Sequence, residues 1–249
     1  MQVTVIKASS PGKIPTAPCG GKPTLVYWDI CGLAAPIRLA LAAAGVDFVD
    51  VRVDCGPLGE AYKTMWFDFK PALDNTLSFP NLPYLLDGDV ALSQSNAILR
   101  YLGRKHGLMG EPASVHLVDL VLDQMADFDQ QITSRCYRDF AALRPFCAEE
   151  LPAILSQWAR LLGSKSFLTS SELTVADLKF YETLRKVKII EAEIGTATLV
   201  TFPSLLEFVQ RVEATPALKE YARTLHSTCT RTYIRGRTRT CAHMFAHAG

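Results

Sequence analysis

The hydrophobic positions of this chain follow two different periods, and the change between them falls near residue 110. TLVYW (24–28) is an apolar run of strand length. After a turn-like DICG, the stretch LAAPIRLALAAAG (33–45) predicts a helix stopped by Gly45. FVDVRV (48–53) alternates polar and apolar residues, the pattern of a strand. A polar, irregular stretch runs on through Ser78. PYLL (83–86) and VAL (90–92) then flank Asp87-Gly88-Asp89, a hairpin signal. SQSNAILRYLGRKHG (93–107) has polar residues at its start, Lys and His in its last turn, and Gly107 as its stop, so a capped helix is expected.

Beyond Gly110 the period becomes helical throughout. Val118, Val121, Leu122 and Met125 recur at i, i+3, i+4, i+7, as do Leu151, Ile154, Leu155 and Trp158; Leu205, Phe208, Val209 and Val212 are similarly spaced. Thr174 and Asp177 can cap another helix reciprocally, hydroxyl to amide and carboxylate back to amide. The expected fold class is α/β plus all-α: a small β-α-β-α-β-β-α domain at 24–107 and an all-helical domain at 111–226. Residues 8–23 are dense in Pro, Gly and Ser, so 1–23 reads as a flexible leader. After Glu220 the chain carries Arg223, Arg231, Arg235, Arg237 and Arg239 and no acid, and 227–249 reads as a basic C-terminal tail. A segment folding back over a ligand site is the sharper alternative for that tail.

Composition narrows the function more than the fold. The 249 residues are 49% hydrophobic and carry a formal net charge of +1, which gives no global electrostatic footprint for nucleic acid or an anionic membrane. No apolar run has the length of a membrane span or a signal peptide. An organelle transit segment is conceivable, because no acid precedes Asp29, but no arginine occurs until Arg38. The seven cysteines are odd in number and none has CxxC spacing, which favours free thiols in a reducing compartment over a disulfide framework. The five histidines do not cluster with them at metal-ligand spacing, so no metal site is expected.

Two helix N-termini offer anion sites, where unpaired amides and the helix dipole favour negative charge. One follows the first strand, at Tyr27 to Gly32; the other begins at Gln94-Ser95. Between them lies Asn81-Leu82-Pro83. Pro83 at a strand entrance is either a plain edge proline or one half of a cis Leu82–Pro83 bond. The second would present the Leu82 main chain to an extended peptide.

YWDICGLA from Tyr27, FPNLPYLLDG from Phe79 and SQSNAILRYLGRKHGL from Ser93 resemble the mu class of cytosolic glutathione transferases. The likeness is specific from about residue 24 to 110 and continues more weakly through TVAD (174–177) and FPSLLEF (202–208). It implies a thioredoxin-like domain followed by a helical one, a cytoplasmic homodimer, and detoxification chemistry in which glutathione is a co-substrate rather than a retained cofactor. The leader has no counterpart in the family.

By that resemblance Tyr27 holds the glutathione sulfur. A free thiol of pKa near 8.5 is only about 3% thiolate at neutral pH. One hydrogen bond to the charged form, worth about 1.5–3 kcal/mol, lowers that pKa by roughly one to two units. Leu82 pairs its main chain with the cysteinyl backbone of glutathione, beside Pro83. Gln94 and Ser95 hold the γ-glutamyl end. Trp66, Lys70 and Lys63 match the loop on the glycyl carboxylate, although a lysine at 63 lacks the bidentate fork of the family's arginine. For both lysines, solvated surface charge is the plain alternative. Asn81, Trp28 and Leu33 complete the pocket. Asp127 matches an acid reaching the partner subunit's glutathione, and Tyr137 a proton donor in the pocket for small hydrophobic electrophiles.

Cys31 departs from the family, which has arginine there. It sits at the mouth of the first helix, where relatives with thiol-transfer chemistry carry a nucleophilic cysteine, but Gly32 follows where that pattern has proline. Three readings therefore stand: conjugation of glutathione to electrophiles, a glutathione-dependent thiol transferase using Cys31, and a non-catalytic ligand-binding protein on the same scaffold.

Overall fold

The computed structural model describes residues 2–54, 63–137, 139–219 and 221. Among the described residues, five strands form one mixed sheet: β1 (Val3–Ala8), β2 (Thr24–Trp28), β3 (Phe48–Val53), β4 (Tyr84–Asp87) and β5 (Val90–Ser93), in the order β1-β3-β2-β4-β5. β3 pairs parallel with both β1 and β2, whereas β4 runs antiparallel to β2 and to β5. Three helices accompany the strands: α1 (Ala35–Ala43), α2 (Thr64–Phe69) and α3 (Ser95–His106). The rest is helical: α4 (Val115–Tyr137), α5 (Leu143–Pro145) running through a π-turn into α6 (Leu151–Leu162), α7 (Val175–Ile194) and α8 (Pro203–Ala214). This is a thioredoxin-like N-terminal domain with an all-helical domain behind it.

The expected punctuation is present. Gly88 and Gly107 take positive φ at the β4–β5 turn and at the end of α3. Thr174 and Asp177 close the reciprocal cap on α7, and the Asp177 carboxylate also accepts the Leu168 amide. α1 is apolar nearly all round and buried from Ala35 to Ala42, because it lies between the sheet and the helical domain, packed on α3 and α7. α7 is the central helix of that second domain. Even its Lys179, Glu182, Arg185 and Lys186 are buried, and each is paired.

The structure corrects three expectations. The leader is not free along its length: Val3–Ala8 forms β1, in register with Phe48–Val53. The VTVIKA segment offers β-branched residues to the open edge of β3, a pattern hidden by the Pro- and Gly-rich stretch after it. Further along, Ile14 is buried and the Tyr84 hydroxyl donates to the Pro15 carbonyl at 2.6 Å, tying this segment to the sheet. The irregular stretch before Ser78 contains α2 and a 3₁₀ turn at Lys70–Leu73, anchored by buried Trp66 and Phe69. Finally, Cys31 is disulfide-bonded, while Cys19 and Cys147 keep free thiols. The 227–249 tail lies outside the described residues, as do Arg223, Arg231, Arg235, Arg237 and Arg239.

Candidate active site

Tyr27 is the penultimate residue of β2, with its hydroxyl beneath the entrance to α1. The Leu33 amide donates to that oxygen at 3.3 Å. The turn between them leaves no spare room: a Cβ on Gly32 would lie 2.6 Å from the Tyr27 oxygen and 2.8 Å from its ring, and φ there is +41°. Glycine is therefore the residue that lets the helix entrance approach the phenol, a role the sequence reading did not assign to it. A signal was available, in a glycine five residues after a strand-end tyrosine, but glycines are common in turns and the pair became meaningful only in space.

A buried ion pair holds this turn from below. Arg38 Nε donates to both Asp50 carboxylate oxygens at 3.0 Å, and its Nη1 donates to the Ile30 carbonyl at 2.9 Å. Both side chains are shut off from solvent, so each charge depends on the other. Arg52 adds a 2.8 Å bond to Asp50 and reaches Asp29, which Lys7 of β1 also contacts. Burial draws the Arg52 guanidinium down, but Asp50, Tyr221 and Asp29 outweigh it and leave its pKa raised.

Across the sheet end, the Leu82–Pro83 bond is cis, and Leu82 and Pro83 are buried beside β4. The Leu82 amide donates to the carboxamide oxygen of exposed Asn81 at 2.9 Å, a contact that a peptide docking there would have to replace. Gln94 is exposed, adopts φ +70° and makes no side-chain cap on α3, so its side chain leaves the first amides of the helix uncovered. Trp28 and Trp66 pack edge to face with centroids 6.4 Å apart, and Lys63 Nζ lies 5.9 Å from the Trp28 ring centroid. Lys70 follows α2 and is half-buried. Leu33 is 43% exposed at the rim.

The residues from the helical domain are less gathered. Asp127 is exposed on α4. The Tyr137 side chain lies outside what the structure describes. Sequence reasoning missed Asn96 and Lys179, which meet beside Ser95 although 83 positions separate them. Among the described residues, no group of three or more His, Cys, Asp or Glu is placed to hold a metal ion, and no helix is long and apolar enough to cross a membrane.

This geometry coincides with a family likeness over most of the chain. Residues 23–104 match the glutathione S-transferase N-terminal domain and residues 126–224 the C-terminal domain of the same family. Glutathione S-transferase Mu 3 of Homo sapiens is 39% identical over 205 residues, 82% of this chain and 88% of that protein. A glutathione S-transferase of Dermatophagoides pteronyssinus is 36% identical over 202 residues, covering 80% of this chain and 90% of its own. A solved pi-class glutathione S-transferase of Onchocerca volvulus superposes with a TM-score of 0.70 at 28% identity, over 86% of this chain and 95% of that one. With both domains matched in order and mu-named relatives similar over four-fifths of its length, the chain belongs to the glutathione S-transferase family and is a mu-like glutathione transferase.

Proposed function

We propose that this enzyme binds glutathione along Leu82 and Ser95, ionises its thiol against Tyr27, and adds the thiolate to electrophilic carbon in small hydrophobic acceptors. The observation that carries the reading is the Leu33 amide donating to the Tyr27 oxygen. An amide bonded to a phenol oxygen polarises its O–H and makes it a stronger donor to an anion. A sulfur at that hydroxyl gains stability as thiolate, and the catalysis is thiolate stabilisation together with placement. The Gln94–Ser95 end of α3 suits the γ-glutamyl carboxylate, and Lys63, Trp66 and Lys70 suit the glycyl one.

The second subunit enters through chemistry rather than contact. Asp127 is exposed on α4 and, in a homodimer, is available to the partner's glutathione ammonium group. Phe79 is 75% exposed on the loop just before Asn81, and a side chain that apolar is better covered than wetted. The thiol-transfer reading loses support because the Cys31 sulfur it needs as a nucleophile is held in a disulfide. A storage scaffold has no use for a tyrosine, a Leu82-Pro83 strand and a Gln94–Ser95 cradle together.

The test is an ultraviolet difference titration of bound glutathione. Tyr27→Phe raises the thiol pKa by about one to two units and slows conjugation of a chlorodinitrobenzene-type acceptor roughly 10- to 100-fold near neutral pH. Equal thiol pKa values in the native protein and the variant remove Tyr27 from the mechanism.

A further inference from the structure

Buried polar side chains form a line along α7. Lys179, Thr183 and Lys186 recur at i, i+4, i+7 and face α4. Thr183 Oγ1 and Lys186 Nζ both donate to Asp129 Oδ1, at 3.1 and 2.9 Å. Lys179 is bonded elsewhere. Its Nζ donates to Asn96 Oδ1 at 2.6 Å and to the Leu122 carbonyl at 3.1 Å, while Asn96 Nδ2 donates to the same carbonyl at 2.9 Å. One ammonium thereby fastens the first turn of α3 to α4 and α7 together.

Lys179 is only 4% exposed, and an apolar side chain would fill such a position at lower cost. Its partner Asn96 directly follows Gln94 and Ser95 in the chain, and the Gln94 φ of +70° is uncommon outside glycine and persists only where the surroundings fix it. We propose that Lys179 is a positioning residue for the γ-glutamyl end of glutathione: through Asn96 it holds the Gln94–Ser95 turn in binding geometry, and it sets a positive charge behind the helix end where a carboxylate docks. The inference rests on the glutathione reading above and deepens it.

Burial is the main influence on this ammonium and draws its pKa down. Asp129 and Asp123 on α4 oppose that, Lys186 on α7 and Arg100 on α3 reinforce it, and the result is about 8. The charge is present at neutral pH and is lost as pH rises through that value.

S-methylglutathione is the probe, since its blocked sulfur silences the Tyr27 chemistry. By titration calorimetry at about pH 7, Lys179→Met weakens binding about tenfold, while kcat at saturating glutathione changes less than about twofold. Native affinity falls between about pH 7 and pH 9, and the fall attributable to Lys179 is missing from the variant. Asn96→Ala breaks the bond but keeps the charge, so it weakens binding several-fold rather than tenfold, and the double variant binds no worse than Lys179→Met alone, in which that bond is already lost. If Lys179→Met does not fold, Asn96→Ala carries the test. Unchanged affinity in a folded variant, or parallel pH profiles for the native protein and the variant, overturns the inference alone. Failure of the native protein to bind the probe overturns the glutathione reading and this inference with it.

Discussion

The two ends of the proposed glutathione groove are built in opposite ways. The sulfur end is local: Tyr27, Gly32, Leu33, Arg38 and Asp50 lie within a single β-α-β unit, and a buried ion pair holds the turn from inside that unit. The γ-glutamyl end is composite, because the first turn of α3 is fastened by α4 and α7 of the other domain. Rigidity at the first end comes from the folding of one segment. At the second it comes from the docking of two domains.

That contrast can be broken most sharply at Arg38. Arg38→Met leaves Asp50 buried with Arg52 as its remaining cation, and a loss of about 3 kcal/mol is expected in denaturant unfolding. A transition unmoved by the change would mean that the turn does not depend on the pair. Gly32→Ala comes next. Its methyl group meets the phenol oxygen and imposes a side chain on positive φ, so stability falls by about 1–2 kcal/mol and conjugation by about tenfold. S-methylglutathione should still bind the alanine variant nearly as well, since the γ-glutamyl end is held elsewhere; equal losses at both ends would erase the distinction drawn here. Lys63→Arg sharpens the picture least. Restoring a planar fork beside Trp28 should tighten glutathione roughly twofold in a KM measurement, with kcat unchanged.

Legibility in the sequence divides along the same line. The strand carrying Tyr27, the helix after it, the β4–β5 hairpin and the cap at Thr174 and Asp177 were readable because each is set by neighbours within a few positions. β1 was not, since its partner is 45 residues downstream and a short parallel edge strand leaves a weak local pattern. α2 was hidden by its brevity, being one and a half turns anchored by Trp66 and Phe69. The tie between Asn96 and Lys179 joins two helices that look alike on paper: a lysine inside a helix reads as surface charge until tertiary packing shuts it away. The state of Cys31 likewise depends on proximity in space, which spacing along the chain did not reveal.

The opening residues have a practical consequence for anyone preparing this protein. The family match begins at residue 23, which invites trimming everything before it. Such a cut would strip β1 from the sheet, remove Ile14 from its seat and leave the Tyr84 hydroxyl without the Pro15 carbonyl. β3 would then become a naked rim of unpaired amides and carbonyls, open to other chains, and the shortened protein would be prone to sticking to itself in the tube.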